Sequence, residues 1–501
     1  MKPVTRASTT YKTEVVFGIV CPLGTQYEKT LATLQSSLTR FGYSTNLIHI
    51  SKAFPQLLRD MGGSPTAAPG DTSIAAKIAV GDAIRAKSGP DVLAAYAIAS
   101  IARNRPSPLP SRRPEPEEKT AHVVLQLKRP EEVELLRRTY GHGFFLIGIS
   151  STHAERMRFF RDQGISEDKA LGWIEADGDE KQESGQLTSK TFHLADVFIS
   201  SDECEQQLPR FLDLVFSSPF TTPTRDERGM FMAFASSMSS GDLSRQVGAA
   251  LLSEGGDVVA VGYNEVPRAG GGRYEGGPSS ARDLELGEDA NHRERARIVY
   301  RIIERFGLDR ASAEAGLREC GVLGITEYGR AVHAEMDAIL SCSRAGRSAV
   351  GANLYVTTFP CHNCARHILA AGIARVVFIE PYPQSKAAEL HADAIRLDGA
   401  RHSAPSDGGA IPFVPFIGIG PRRYVDLFSL KLGSGIQLER ETDGKKRYWR
   451  PDLAGPRLPM LPSSYLEREQ ATANAFWLKL KRRKEPTTHA RPRPPQSQTK
   501  R

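Results

Sequence analysis

His333-Ala334-Glu335 and Pro360-Cys361-His362-Asn363-Cys364 are the two segments on which the reading of this chain turns, and each stands where a helix is expected to begin. Ahead of the second, Leu354-Tyr355-Val356-Thr357-Thr358 has the β-branched and aromatic content of a strand. Behind it, Ala365 to Ala371 reads as a helix that stops at Gly372. Cys361 and Cys364 then sit on a first helical turn, where unpaired N–H groups and the helix dipole favour thiolate over thiol. Met336, Ile339 and Leu340 recur at helical spacing behind His333-Ala334-Glu335, so that helix faces the core and carries the motif at its upstream edge. Residues 333 and 335 do not share a face of a regular helix, so they converge only at a distorted or terminal turn.

The residue types specify a chemistry. His333, Cys361 and Cys364 offer an imidazole and two thiolates, a three-donor set with one open position that suits Zn2+ better than magnesium or calcium. Water on such a zinc has a pKa of about 7. Glu335 remains as a carboxylate beside the metal, able to take a proton from water and pass it to a ring nitrogen and a departing amine, and is assigned as general acid and base. A His-x-Glu with a Pro-Cys-x-x-Cys is the signature of zinc deaminases that act on cytosine or adenine rings. A lone CxxC is also compatible with a redox pair or a structural zinc site. The His-x-Glu on the preceding helix, the strand between and the Pro before Cys361 select the catalytic reading.

The other cysteines, Cys21, Cys204, Cys320 and Cys342, read as buried or free thiols, with Cys320 kept open as a second-metal candidate. Six cysteines, no signal peptide and no apolar run near eighteen residues lead us to expect a cytoplasmic protein without a membrane span. The net charge is +8, but nine basic residues and one acid between Lys479 and Arg501 account for all of it. The remainder is neutral overall, whereas an enzyme working on long RNA or DNA is expected to carry a basic channel in its body.

A chain of 501 residues implies two or three cores. Over residues 12–220, Glu14 to Val20 reads as a buried strand, Cys21-Pro22-Leu23-Gly24-Thr25 as a turn and Tyr27 to Arg40 as a helix, the opening of a nucleotide-type α/β unit. Gly18, Gly24 and Thr25 are its candidate nucleotide contacts. With Gly24 aligned to the glycine before the Lys of a Walker motif, Thr25 replaces that Lys and Gln26 the Ser or Thr that holds magnesium. Phosphate cradling by backbone N–H groups survives this change and phosphoryl transfer does not; a plain strand-to-helix turn is the alternative. Helical stretches over 51–104 lead to Arg105–Lys119, a Pro- and charge-rich connector expected to pack little. Further strands at 123–127, 144–149 and 195–199, with a helix at 130–140, predict a mostly parallel sheet. The acidic stretch from Glu175 to Glu183 reads as a solvated loop.

Thr221 to Thr224 marks a boundary. Residues 225–400 read as a helix, strands at 248–252 and 258–263, the two metal segments and a strand at 376–379, with a long insertion between Pro267 and Tyr328 folding out near the active-site mouth. Residues 401–478 are expected to pack on this second domain, and 479–501 to form a basic disordered tail.

Ser239 to Ala249, Gly262-Tyr263-Asn264-Glu265-Val266-Pro267 and the two metal segments resemble deoxycytidylate deaminases. With Leu127 to Val133, His193 to Asp196, Gly329 to Val332 and Pro421 to Tyr424 added, the chain resembles the bacterial anti-phage dCTP deaminases from about Val15 to Leu430. The resemblance implies an N-terminal P-loop kinase-like parallel α/β domain joined to a cytidine-deaminase-like α/β/α sandwich. It implies hydrolytic deamination of dCTP, dCMP or both, giving the deoxyuridine nucleotide and ammonia and draining the dCTP pool on phage infection. By the same resemblance Asn264 holds the deoxyribose or base edge, Arg245 lies near the phosphates, and Ala334 and Tyr382 line the pocket. The alternatives are a turn-stabilising Asn, a surface Arg and a packing Tyr. A regulatory nucleotide at the first domain, an inhibitory RNA or protein, and a homo-oligomer are also implied. A polynucleotide cytidine or adenosine deaminase and a non-catalytic nucleotide sensor remain as other classes, and Glu335 speaks against the second.

Overall fold

Glu14–Val20 forms β1, buried along its whole length, as an apolar run without alternation requires of a strand covered on both faces. The computed structural model of the chain describes residues 14–61, 74–105, 115–178, 186–320, 327–382, 385–397, 409–431, 437–460 and 462–484. After β1 come α1 (Glu28–Thr39), β2 (Ser44–His49), α2 (Phe54–Asp60), α3 (Ile74–Ser88), α4 (Val92–Asn104), β3 (Thr120–Leu125) and α5 (Pro130–Tyr140). Then follow β4 (Phe144–Ser150), α6 (His153–Asp162), α7 (Glu167–Gly178), α8 (Thr188–Phe192), β5 (Val197–Ser200) and α9 (Cys204–Val215). The five strands pair in parallel in the order β2-β3-β1-β4-β5. The chain passes from β3 over β1 to β4, so strand order reverses beside β1, and ligands of open α/β sheets bind outside the carboxyl ends of strands at such a point.

The second unit begins with a capping box. Thr224 Oγ1 accepts from the Glu227 amide at 3.2 Å and the Glu227 carboxylate accepts from the Thr224 amide at 2.7 Å, which starts α10 (Arg225–Ser237). Next come β6 (Gly248–Leu252), β7 (Val258–Tyr263), α11 (Asp283–Leu286), α12 (Ala290–Phe306), α13 (Arg310–Glu319), α14 (Ala334–Arg344), β8 (Asn353–Thr358) and α15 (His362–Ala370). The unit closes with β9 (Arg375–Glu380), α16 (Ala387–Leu390), β10 (Ile395–Arg396) and β11 (Ile411–Pro415), in a sheet of order β10-β11-β9-β8-β6-β7. Strand alternation splits the core: Ala250, Leu252, Tyr355 and Val377 cluster with Met230 and Ala233 of α10, while Ala249, Leu251, Leu354 and Val356 cluster with α14 and α15. Helices on both faces make this an α/β/α sandwich.

Several expectations change here. Beyond β11, the chain does not pack only on the second unit. β12 (Gly418–Ile419) pairs antiparallel with β5, Leu427 of α17 (Tyr424–Phe428) joins the core of the first unit, and α18 (Pro462–Lys484) packs through Tyr465, Leu466, Ala473 and Phe476 into a cluster with α4. The basic tail therefore starts as helix, with Lys479 Nζ bonded to the Ser88 carbonyl, and residues 485–501 lie outside those described.

Arg105 is no solvated connector residue either. It is buried, donating to Glu14 Oε1 at 2.5 Å and Oε2 at 3.1 Å and to Glu469 Oε1 at 2.5 Å and Oε2 at 2.8 Å. Tyr465 OH donates to Glu14 at 2.5 Å and Tyr140 OH to Glu469 at 2.9 Å, so α18 is tied to β1 and α5 by one buried polar network. Asp177, expected in a solvated loop, is also buried, within α7. Composition marked these residues as surface because their partners are distant in sequence.

At the junction of the units, Glu227 accepts from Arg210 of α9 at 2.7 Å through each carboxylate oxygen and from the Ile419 amide of β12 at 2.8 Å.

Candidate active site

Both metal segments lie at helix N-termini. His333 is the N-cap of α14, with extended backbone angles (φ −69°, ψ 156°), and Ala334 and Glu335 open the first turn. An N-cap stands outside the helical spiral, which is how side chains two residues apart come together. Cys361 is the N-cap of α15 (φ −70°, ψ 166°), and its Sγ accepts from the Cys364 amide at 3.4 Å.

A glycine sets the depth of α14. A Cβ built on Gly262 of β7 would overlap the Ala338 amide nitrogen and the Ala334 carbonyl oxygen, both backbone atoms of that helix. Gly262→Ala is therefore expected to push α14 off the sheet, costing about 1–3 kcal/mol in denaturant unfolding and weakening metal retention on dialysis against a chelator. An unfolding free energy and metal content like those of the parent would show that α14 has slack.

The donor atoms converge. His333 Nδ1 is 3.4 Å from Cys361 Sγ and 3.3 Å from Cys364 Sγ, and the three atoms lie within 4.8 Å of one another. Donors on neighbouring corners of one tetrahedral zinc stand about 3.6 Å apart, so the set fits that ion. The hydrogen bond to Cys361 pushes His333 up to about 9, while hydrogen bonds from Cys364 and His333 push Cys361 down to about 4 against burial. The bond to Cys361, helped by burial, raises Cys364. Protons shared among three donors are what a metal ion displaces as it binds.

Glu335 is 4% exposed, its Oε2 3.3 Å from Cys364 Sγ, and burial raises its carboxyl pKa. A carboxyl shifted toward neutrality suits a group that both takes and gives protons.

A cavity of about 380 Å³ opens over this cluster, lined by His333, Ala334, Glu335, Cys361, Asn264, Arg245 and Tyr382. Its size lies in the range of small-ligand sites. Cys364 is fully buried behind it. Asn264 uses its amide on the loop beside it: Oδ1 accepts from the Val247 amide at 2.8 Å and Nδ2 donates to the Arg245 carbonyl at 2.7 Å. The turn-stabilising role is thus present, at the cavity wall. Arg245 is ion-paired with Glu380, and burial raises the Tyr382 hydroxyl pKa.

Asp242, Ser244, Thr358 and Phe359 also line the cavity and were not singled out from sequence. Asp242 Oδ1 accepts from Ser244 N at 2.9 Å and Arg245 N at 3.2 Å, an Asx turn that the run Ser240-Gly241-Asp242 signals in composition. Glu265 pairs with Val332 through both backbone groups, so the insertion leaves and returns one residue before His333, at the mouth. Cys320 is exposed and belongs to no ligand cluster among the described residues.

The first unit has its own cavity, of about 260 Å³, at the carboxyl ends of β1 and β3. Gly24 (φ +87°) and Thr25 line it, and Thr25 Oγ1 is 2.7 Å from Ser151 Oγ. Gly18 does not belong with them. It lies inside β1, where a Cβ would stand 2.6 Å from Leu127 Cδ1 and 2.8 Å from Phe144 Cζ, so its smallness serves packing. Lys128, missed from sequence, donates to the Cys21 carbonyl at 2.9 Å and to Asp177 Oδ1 at 2.7 Å, and the Leu23 amide donates to Asp177 Oδ2 at 2.7 Å. A second grouping of possible ligands, Glu14, Glu117 and His122, is taken up by the Arg105 guanidinium and reads as an ion-pair cluster.

Residues 223–380 match the cytidine and deoxycytidylate deaminase zinc-binding region, so this part of the chain is a deaminase-family domain whose metal is zinc. Among curated proteins, ComE operon protein 2 of Bacillus subtilis (strain 168) is 46% identical over 63 residues, 12% of this chain and 33% of the relative. The deoxycytidylate deaminase of Mus musculus is 29% identical over 150 residues, 30% of this chain and 61% of the relative. The chain thus spans about a third of the length of the first of these relatives. Among solved structures, the dCMP deaminase from the cyanophage S-TIM5 in complex with dCMP and dUMP is 18% identical, covering 38% of this chain and 98% of that one with a TM-score of 0.23. Among the described residues, no helix is long and apolar enough to cross a membrane.

Proposed function

We propose that this chain is a zinc-dependent hydrolase that deaminates deoxycytidine nucleotides, dCTP, dCMP or both, to the deoxyuridine nucleotide and ammonia. The observation that carries the reading is Glu335, a buried carboxylate at the floor of a nucleotide-sized cavity beside three zinc donors. His333, Cys361 and Cys364 would hold the zinc, which when bound would supply a Lewis acid able to bring the pKa of a water to about 7. Glu335 would carry one water proton to the ring nitrogen as the water oxygen bonds to the amine-bearing ring carbon, then carry the second proton from the resulting hydroxyl to the exocyclic nitrogen, so that the C–N bond breaks and ammonia leaves. Asn264 fixes the loop against which the sugar and base edge lie, Arg245 meets phosphate, and Ala334 and Tyr382 pack against the ring.

The first unit is read as a regulatory nucleotide site. Its Thr25 in place of a Walker Lys speaks against phosphoryl transfer, and an anion at the Leu23 amide competes there with Asp177. Depletion of dCTP during phage infection, restraint by an RNA or protein, and a homo-oligomeric state complete the reading. The test is ammonia release and product identity with zinc-loaded protein offered dCTP, dCMP, CTP and single-stranded DNA side by side. Conversion of dCTP or dCMP alone is expected; preferential conversion of the DNA, or silence on all four, would overturn it.

A further inference from the structure

Beside the deaminase cavity, three separate parts of the chain meet at Glu380, which is joined to the cavity wall through Arg245 and Thr358. Arg245, on the cavity wall, is ion-paired with Glu380 at the end of β9. His193, the C-cap of α8 in the first unit, holds Nδ1 3.9 Å from Glu380 Oε1. Arg422, in the turn Pro421–Arg423 that follows β12, lies within electrostatic reach of both Glu380 and His193. The neighbouring arginines are committed elsewhere: Arg137 and Arg423 both pair with Asp196. Arg422 rests over the Phe234 ring, 5.9 Å from its centroid, and among the described residues no carboxylate pairs with it. Arg245 and Arg422 are thus two guanidinium groups near Glu380; Asp196 also acts on Arg422 but is engaged by Arg137 and Arg423, and His193, whose pKa burial lowers, stands beside Glu380 as a neutral imidazole able to donate a hydrogen bond.

The geometry points to a second phosphate subsite at this junction, in which Arg422 and His193 take the outer phosphates of a deoxycytidine triphosphate while Glu380 gives up Arg245 to the inner one. The inference rests on the reading of the cavity as a deoxycytidine-nucleotide site. A partly exposed ion pair such as Arg245–Glu380 is weak and is readily exchanged for a phosphate, which arginine binds through two parallel N–H donors. The first unit and the segment after β11 then complete the substrate site of the second unit, and they set how many phosphates it prefers.

The experiment measures calorimetric binding of dCMP and dCTP to full-length, zinc-loaded Glu335→Ala protein, alone and combined with Arg422→Ala, Arg422→Gln or His193→Ala. Thermal unfolding confirms that each variant is folded. In the Glu335→Ala parent, dCTP is expected to bind at least about tenfold more tightly than dCMP, a difference of about 1.4 kcal/mol. Each Arg422 or His193 substitution is expected to close that gap by threefold or more through loss of dCTP affinity. Equal affinities in the parent, an unchanged gap in all variants, or equal losses for both nucleotides would overturn the inference and leave the deaminase reading standing. Binding of neither nucleotide would overturn both.

Discussion

Glu335→Ala protein is expected to retain its zinc and to lose turnover by about 10²–10⁴-fold, the usual contribution of a positioned general acid and base. The two readouts separate because Glu335 lies beside the donor set and outside it: its Oε2 contacts Cys364 Sγ, while the three donors are His333, Cys361 and Cys364. Removing the carboxylate leaves those donors on their two helix N-termini. Cys364→Ala, by contrast, removes a donor and is expected to lose metal and turnover together. Zinc content by atomic absorption and ammonia release on the same preparations decide the matter. Turnover within tenfold of the parent in Glu335→Ala protein would remove Glu335 from its proton-transfer role.

The second large effect is on stability. Arg105→Ala is expected to destabilise the fold by about 3–5 kcal/mol, because it leaves Glu14 and Glu469 buried with no cation between them. Their remaining partners include the Tyr465 and Tyr140 hydroxyls, the Glu117 amide at 2.5 Å from Glu14 and His122 at 3.5 Å from it, none of which replaces the guanidinium charge. The same network predicts acid sensitivity. Burial alone would raise Glu14, yet the His122 imidazole 3.5 Å away and the hydrogen-bonded Arg105 guanidinium outweigh it and push the carboxyl down to about 2 from an ordinary 4.5. A carboxyl lowered by folding stabilises the native state fully above its unfolded pKa, and that contribution disappears as pH falls from about 4.5 to about 2. Urea unfolding of parent and Arg105→Ala protein at neutral pH tests the first claim, and a difference under about 1 kcal/mol would mean the pocket hydrates instead. The parent's unfolding free energy across the acid range tests the second, and a flat profile below pH 4.5 would count against it.

The convergence of the donor set and Glu335 was legible because it is local. His333 and Glu335 share one helix start, Cys361 and Cys364 another, and zinc ligation leaves little choice of residue type. Buried strands such as Glu14–Val20 and Phe144–Ser150 were legible too, since a parallel sheet covered on both faces demands unbroken apolar runs. What escaped depends on partners remote in sequence. Arg105 sits in a composition that reads as solvated, and its carboxylates come from residues 14 and 469. Lys128 meets the Cys21 carbonyl 107 residues away. Gly262 shows its purpose only when α14 lies across it, and Gly18, taken for a phosphate contact, proves to be a space-maker for Leu127 and Phe144. Side-chain pattern reports which face is buried and says nothing of what it is buried against.

The strand β12 and the helix α18 lie beyond the second unit in sequence but belong, in packing, to the first. On the ribosome, β1 to β5 emerge early, yet the edge of β5 and the Arg105 network stay incomplete until residues 418 to 480 have been made. At about 5–20 residues per second that delay is on the order of tens of seconds. The deaminase unit is inserted in sequence between parts of the first unit, so a chain ending before Gly418 would lack the strand that covers β5 and the Glu469 and Tyr465 partners of the buried Arg105–Glu14 pair.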